Sequence, residues 1–360
     1  MTPDVVRVLP ELRISHIEDA PALAPATVYY LRENYDVLGV PVPDGFHRIG
    51  LPGLLAALVR SRARVLEAPE PLWMRFLPRW LALVVVWRLG GILRGVRRRT
   101  VVYAMEHNDI AVLIGGPRGV PRVVERAFRV GLGLCVRLLV DRICFATEPS
   151  RDAYLRLSGV HRVEHAVVLE LQAARPQASG RVPRRGRVAF VGVLEERKGL
   201  RYLVRAWERV ERAFPSAELV LGGVGALEQE LRAWAVARPE QRRVVGRLGH
   251  DAVHELMTTS DVVVVPSIPW GRSREQVCLP VLEGLSNGCT VVVTDQTGIA
   301  GWLREHGHHV VDLHDLGDRF VVGLADALTR AVRAPLDRSA VLDSLPAPSG
   351  VVRSNRYLHG

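Results

Sequence analysis

One lysine stands among 47 arginines, and its neighbours mark it as a chemical position. Lys198 lies in Gly192-Val193-Leu194-Glu195-Glu196-Arg197-Lys198-Gly199, directly after the apolar run Val188-Ala189-Phe190-Val191. That order predicts a buried strand, a glycine turn and a helix entrance. An ammonium on a flexible stem reaches a phosphate as a compact point charge. A helix entrance adds N–H donors and the positive end of the dipole. The second constellation is Glu275-Gln276-Val277-Cys278-Leu279-Pro280-Val281-Leu282-Glu283, with Gly288 behind it. Pro280 suits the first helical position, where an N–H is not needed, and Gly288 suits a helix exit. Glu275 is then expected before the helix and Glu283 in its first turn, both flanking N–H groups that can receive a diphosphate. Carboxylates accept hydrogen bonds from vicinal hydroxyls, so one can hold a ribose and the other a sugar ring. The plain alternative is a Glu283 that only complements the helix dipole and a solvated Glu275. A third candidate is His107, just beyond Val101-Val102-Tyr103-Ala104. At a strand's carboxyl end it could hydrogen-bond a reacting hydroxyl, or it could be structural.

These residues need strands that end at a common edge. Apolar runs predict strands at 5–9, 64–67, 100–104, 142–147 and 166–169, and again at 188–191, 218–221, 243–245, 261–265, 290–294 and 309–311. Amphipathic stretches predict helices at 25–38, 51–60, 77–96, 120–139 and 150–157, the last with Ser150 as N-cap. Further helices are expected at 200–214, 226–237, 250–258, 280–286, 298–306 and 320–333. Valine-rich strands alternating with helices predict an α/β architecture of parallel sheets covered on both faces. Two doubly wound, Rossmann-like domains are expected at 1–171 and 188–334, facing across a cleft where ligands meet the strands' carboxyl ends. Residues 172–187 have linker composition. The tail 335–360 shows no clear period and is expected to cross back to the first domain. Gly223-Val224-Gly225 looks like a nucleotide turn, but a tight strand-to-helix turn is the expected reading.

Composition narrows the class. Hydrophobic content of 48% with 24% charged residues describes a folded chain rather than a disordered one. Cys135, Cys144, Cys278 and Cys289 have no metal-ligand spacing, so buried thiols in a reducing cytoplasm are expected, with no metal and no cofactor. Met1-Thr2-Pro3-Asp4 opens no signal peptide, and the apolar stretch 81–87 stops at Arg88, short of the ~20 residues a membrane span needs. The net charge of +10 is uneven: from Leu51 to Thr100 ten arginines face two glutamates, beside Trp73, Trp80 and Trp87. That mixture predicts an anionic membrane surface as a partner, with a solvated helix face as the plain alternative. No nucleic-acid motif accompanies the charge, and no nucleic acid is expected. The expected location is cytoplasmic, peripheral on the inner face of the plasma membrane.

The second half resembles the family-4 retaining glycosyltransferases of the GT-B fold. Glu275 and Glu283 have the spacing of that family's paired glutamates, with seven residues between them and Leu279-Pro280 in place. The lead-in Asp261-Val262-Val263-Val264-Val265-Pro266-Ser267, the segment ending Arg197-Lys198-Gly199 and the turn Val245-Gly246-Arg247-Leu248-Gly249 follow the family in order, over about 187–331. The resemblance implies a nucleotide-diphosphate sugar as donor and transfer to a hydroxyl acceptor without a metal. It gives Lys198 to the diphosphate, Glu283 to the ribose and Glu275 to the transferred sugar, with Gly192, Arg197, Leu248 and Leu279 also lining the donor. His107 would serve the sugar or the acceptor from the N-terminal, acceptor-side domain. It further implies a role in cell-envelope glycan, glycolipid or polysaccharide synthesis, with a lipid-linked or membrane-presented acceptor. Loops such as 269–274 would choose the sugar. Two departures stand out: Val193 replaces the family's usual arginine after the first glycine, and Pro10-Glu11-Leu12-Arg13 stands where many members have a glycine-rich loop. They favour the rival expectation of a catalytically weak GT-B protein that binds a membrane or a partner.

Overall fold

A computed structural model of the chain describes residues 3–34, 36–37, 39–175, 183–271 and 274–360. They form two units, Met1–Glu170 with Gly350–Gly360 and Leu171–Ser349, each built on one parallel sheet.

In the first unit the elements run β1 (Val5–Leu12), α1 (Ile14–Asp19), β2 (Ala26–Glu33), β3 (Phe46–Arg48), α2 (Leu51–Arg60), β4 (Val65–Ala68) and α3 (Leu77–Leu93). They continue with β5 (Arg99–Ala104), α4 (Ile110–Gly115), α5 (Arg122–Leu139), β6 (Arg142–Phe145), α6 (Glu148–Leu155) and β7 (Glu164–Val167). The sheet order is β3-β2-β1-β4-β5-β6-β7. Its core gathers Leu54, Leu58, Leu66, Trp80, Trp87, Val102, Ile143 and Phe145.

The second unit runs β8 (Arg184–Val191), α7 (Leu200–Ala213), β9 (Glu218–Gly222), α8 (Glu228–Val236), β10 (Arg242–Gly246), α9 (His250–Thr258) and β11 (Ser260–Val265). Then come α10 (Leu279–Ser286), β12 (Thr290–Thr294), α11 (Ala300–Glu305), β13 (His309–Val311), α12 (Asp318–Arg333) and α13 (Arg338–Asp343). The sheet order is β10-β9-β8-β11-β12-β13, so β8 has β9 on one side and β11 on the other. At such a reversal the crossovers leave in opposite directions, and a crevice opens beyond the strands' carboxyl ends. Apolar residues at helical spacing make α7 face inward: Leu200, Leu203, Trp207 and Val210 are fully buried. Each such side chain contributes roughly 1.5–3 kcal/mol of transfer free energy. Together they hold the segment that begins at Lys198.

Several elements differ from expectation. The stretch 25–38, expected to be a helix, is strand β2 over Ala26–Glu33, pairing with β1 from Val5↔Ala26 to Leu12↔Glu33; Tyr35 and Leu38 lie outside the described residues. Its Thr-Val-Tyr-Tyr run suits a pleated surface, and Val28 and Tyr30 are buried at the strand period of two. The N-cap of α6 is Thr147 rather than Ser150: Thr147 Oγ1 accepts from the Ser150 N–H, and Ser150 Oγ accepts from the Thr147 N–H. Arg184–Arg187, expected in the linker, belong to β8, and residues 176–182 of that linker lie outside the described residues. The tail is helical in α13 and in α14 (Gly350–His359), which packs on β5 and β6 in the first unit. All four cysteines are free thiols, but Cys135 is only half-buried.

Candidate functional site

The site is laid down by two turns in contact. After β8 the chain makes one 3₁₀ turn at Glu196–Lys198, and Gly199 (φ 69°) opens α7 in the left-handed region. A Cβ on Gly199 would lie 2.0 Å from the Pro266 carbonyl oxygen, so only glycine fits both the angle and the approach. The contact is fastened two residues away on each of the two segments, where the Ile268 N–H donates to the Arg197 carbonyl at 2.9 Å. The Lys198 turn is thereby seated against Pro266-Ser267-Ile268, beyond β11.

Lys198 is buried, and its Nζ donates to Glu275 Oε2 at 2.5 Å. The same carboxylate oxygen accepts from Ser267 Oγ at 2.9 Å, while Thr294 Oγ1 holds the Ser267 carbonyl at 2.5 Å. One ammonium, one carboxylate and one hydroxyl thus meet at the ends of β8, β11 and β12. Cys278, the N-cap of α10, registers the wider cluster. Its thiol is pushed up to about 12, first by burial, then by the negative Glu275; Lys198 pulls it down and Glu283 pushes it up again. Lys198, Glu275 and Glu283 therefore all act on one buried sulfur.

Glu283 is buried in α10 as its fifth residue, one position beyond the first turn expected for it, and Pro280 is second rather than first. Pro280 has no N–H, and the Val281 and Leu282 N–H groups both go to the Cys278 carbonyl. Leu279, half exposed, carries the remaining N–H of that turn, so this entrance offers an anion fewer donors than the sequence suggests. The Glu283 carboxylate stands beside His250 and His254 of α9. Burial, then Arg175 and His250, lowers the His254 pKa to about 4, which keeps that imidazole neutral.

The remaining donor-side candidates frame this centre. The Gly192 N–H donates to the Gly222 carbonyl at 2.9 Å, and the Gly223 N–H to the Gly246 carbonyl at 2.7 Å. A Cβ on Gly223 would lie 1.8 Å from the Gly192 oxygen, so Gly223-Val224-Gly225 serves as a tight turn against the lysine segment. Leu248 packs over Gly222. The Arg197 guanidinium is paired with Glu195 at 3.0 Å. Arg272 and Ser273, in the loop expected to choose the sugar, lie outside the described residues.

His107 belongs to the first unit and is buried on the loop after β5. That loop is pinned by a residue the sequence did not single out. Glu70 Oε2 accepts from the Met105 and Glu106 N–H groups, each at 3.0 Å, and from the Tyr154 hydroxyl at 3.1 Å. Glu106 Oε1 in turn takes the Asn108 backbone and side-chain N–H groups, both at 2.8 Å. Burial, then the neighbouring Glu106 charge, raises Glu70 to about 7. Ser267 stood in the quoted lead-in without a role, and His250 and His254 were missed. The histidines carried a signal, four residues apart in a stretch expected to be helical.

The Arg/Trp-rich stretch is built differently from its expectation. Trp80 and Trp87 are fully buried, and Arg98 stacks on Trp87 at 4.1 Å, so these rings form core rather than an interfacial belt; only Trp73 is partly exposed. The exposed apolar side chains are aliphatic: Leu89, Ile92 (75% exposed) and Leu93 (83%) on α3, and Leu134 and Leu138 on α5. Among the described residues, no helix is long and apolar enough to cross a membrane.

Two Rossmann-like parallel-sheet units define the GT-B class of α/β fold. The family model of the glycosyl transferases group 1 matches residues 185–334, within the unit that carries Lys198 and both glutamates. The chain is 29% identical over 209 residues to a glycogen synthase of Mycobacterium tuberculosis, covering 56% of this chain and 46% of that protein. It is 32% identical over 151 residues to the phosphatidyl-myo-inositol mannosyltransferase of the same organism, covering 41% and 38%. The chain thus spans about half or less of the curated relatives it matches. Among solved structures it superposes on α,α-trehalose 6-phosphate synthase from Burkholderia multivorans with a TM-score of 0.66 at 15% identity, covering 100% and 98% of the two chains. Anabaena HepE in complex with UDP-glucose gives a TM-score of 0.56 at 12% identity over 94% and 97%. At such identities the likeness is one of fold.

Proposed function

We propose that the chain is a retaining, family-4-type glycosyltransferase that moves a sugar from a nucleotide-diphosphate donor to a hydroxyl acceptor in envelope glycan, glycolipid or polysaccharide synthesis. The observation that carries this reading is the Lys198–Glu275–Ser267 cluster, with the lysine and serine buried, at the reversal point of the second sheet, inside the matched segment. As the bond to the leaving diphosphate breaks, negative charge grows on its oxygens. A preorganised ammonium in a largely buried place stabilises that charge more than water does. Lys198 would supply it, and this neutralisation calls for no metal. Glu275 would leave the lysine for the hydroxyls of the transferred sugar, while Glu283 would take the ribose and His107 the acceptor side. The likeness to HepE, a structure in complex with UDP-glucose, supports a nucleotide sugar as the donor. Screening nucleotide sugars by thermal shift, then assaying transfer and donor hydrolysis by wild type and Glu275→Ala, tests the reading. One donor should stabilise the protein, and its turnover should collapse in the variant; equal turnover in both would remove it.

Val193 favours the alternative of a weak enzyme acting as a binding module, because Arg197, the arginine of the lysine segment, is paired with Glu195. In either case we propose an anionic lipid surface as partner, through Ile92 and Leu93 at the end of α3, beside Arg94 and Arg97. Flotation with anionic and neutral liposomes should show binding to the anionic ones, lost in Ile92→Asp/Leu93→Asp. Equal failure on both lipids would exclude it.

A further inference from the structure

Behind the lysine–glutamate cluster, two helices bring together side chains that ligate metals. His250 and His254 lie one turn apart on α9, on the same face, and Glu283 reaches them from α10. Their ligating atoms all fall within 4.8 Å of one another, and the two Nε2 atoms are 3.2 Å apart. Two nitrogens bound at about 2.0–2.1 Å to one tetrahedral zinc ion sit about 3.3 Å from each other. The imidazoles therefore already have the bite of a chelate, in the unloaded protein.

The surroundings hold this arrangement. Asn287 Nδ2 donates to the Glu283 carbonyl at 2.8 Å and reaches His254 Nδ1 at 3.3 Å, while Thr258 Oγ1 donates to Asn287 Oδ1 at 3.0 Å. These contacts hold Asn287 and the ring in place, but the amide N–H facing Nδ1 makes that nitrogen the acceptor and puts the ring proton on Nε2, so an ion bound there must displace that proton and re-seat the amide. A second adverse feature is Arg175, whose Nη2 is 3.4 Å from His250 Nε2. Its side chain is half exposed, so it can turn toward solvent when a cation arrives, at some cost in affinity.

We propose that His250, His254 and Glu283 form a site for one divalent transition-metal ion. Two imidazoles, one carboxylate and a fourth position open to water are a donor set suited to zinc. An ion there ties α9 to α10. It also occupies the carboxylate assigned above to the donor's ribose, so metal and nucleotide exclude each other; this last clause rests on the donor reading.

Tag-free protein, stripped with a chelator, is titrated with zinc against a chromophoric chelator and with cobalt for its visible absorption. One zinc per chain is expected. His250→Ala and His254→Ala should each weaken it by roughly tenfold or more through loss of a ligand. Arg175→Ala should tighten binding by removing a like charge, and His306→Ala, away from the triad, should leave it unchanged. Melting curves without metal separate a lost fold from a lost site. Equal zinc affinity in wild type and in the His250→Ala/His254→Ala double variant overturns the proposal. A stabilising nucleotide sugar should lose its effect once zinc is bound. Zinc binding at the triad with nucleotide stabilisation intact would keep the metal site and remove the ribose role of Glu283.

Discussion

Both units carry half-buried acids beyond their parallel strands, yet the two settings surround them with different partners. In the second unit Glu275 meets an ammonium, and the pair is held by turns that only glycine can make. In the first unit Glu70 meets another carboxylate, Glu106, and only neutral donors. Burial beside a like charge drives Glu70 toward the neutral form. The same residue type therefore supplies an ion-pair partner in one unit and a proton-holding clamp in the other.

The comparison breaks most sharply at the lysine. Lys198→Met should lower transfer by roughly 10²–10³, the scale of losing one preorganised charge-stabilising donor. Lys198→Arg, which keeps the charge but not the compact ammonium, should recover little of it. Steady-state kinetics on the donor found by thermal shift checks both. Gly199→Ala should destabilise the protein by roughly 2–4 kcal/mol, from a strained angle and a Cβ pressed on the Pro266 oxygen. Urea unfolding measures it.

Glu70 sharpens the other side. Its folded pKa, raised from 4.5 to about 7, exceeds the unfolded value, so the native state binds the extra proton. Its contribution is fully present below about 4.5 and is lost as pH rises toward 7. The loss is on the order of 3 kcal/mol at 1.36 kcal/mol per pH unit. Glu70→Gln should flatten that decline, as followed by unfolding across the same window; an unchanged slope would mean that Glu70 ionises normally. The smallest effect is expected from Val193→Arg, which should tighten donor binding by up to about tenfold through a second cation near the diphosphate. Isothermal titration would show it.

The strands and glycine turns of the second unit were legible because each is a local statement: a valine run, then a residue for which no Cβ has room. Thr290–Thr294 and His309–Val311 fall where their runs place them. The first unit was less legible because its signals fit two periods. Residues 26–33 carry apolar side chains compatible with helix or strand, and pairing with β1 settled the choice. The tryptophans misled for a related reason: composition reports that a ring is present, not which way it faces.

Sequence alone determined the alternation of strands and helices, the glycines at the tight approaches and the one lysine placed between them, because those depend on backbone sterics and nearest neighbours. Only the tertiary structure decided that Lys198 meets Glu275, that Glu283 stands by two histidines, and that Glu70 holds the His107 loop. Those pairings join residues far apart in the chain, and burial and charge act across space rather than along it.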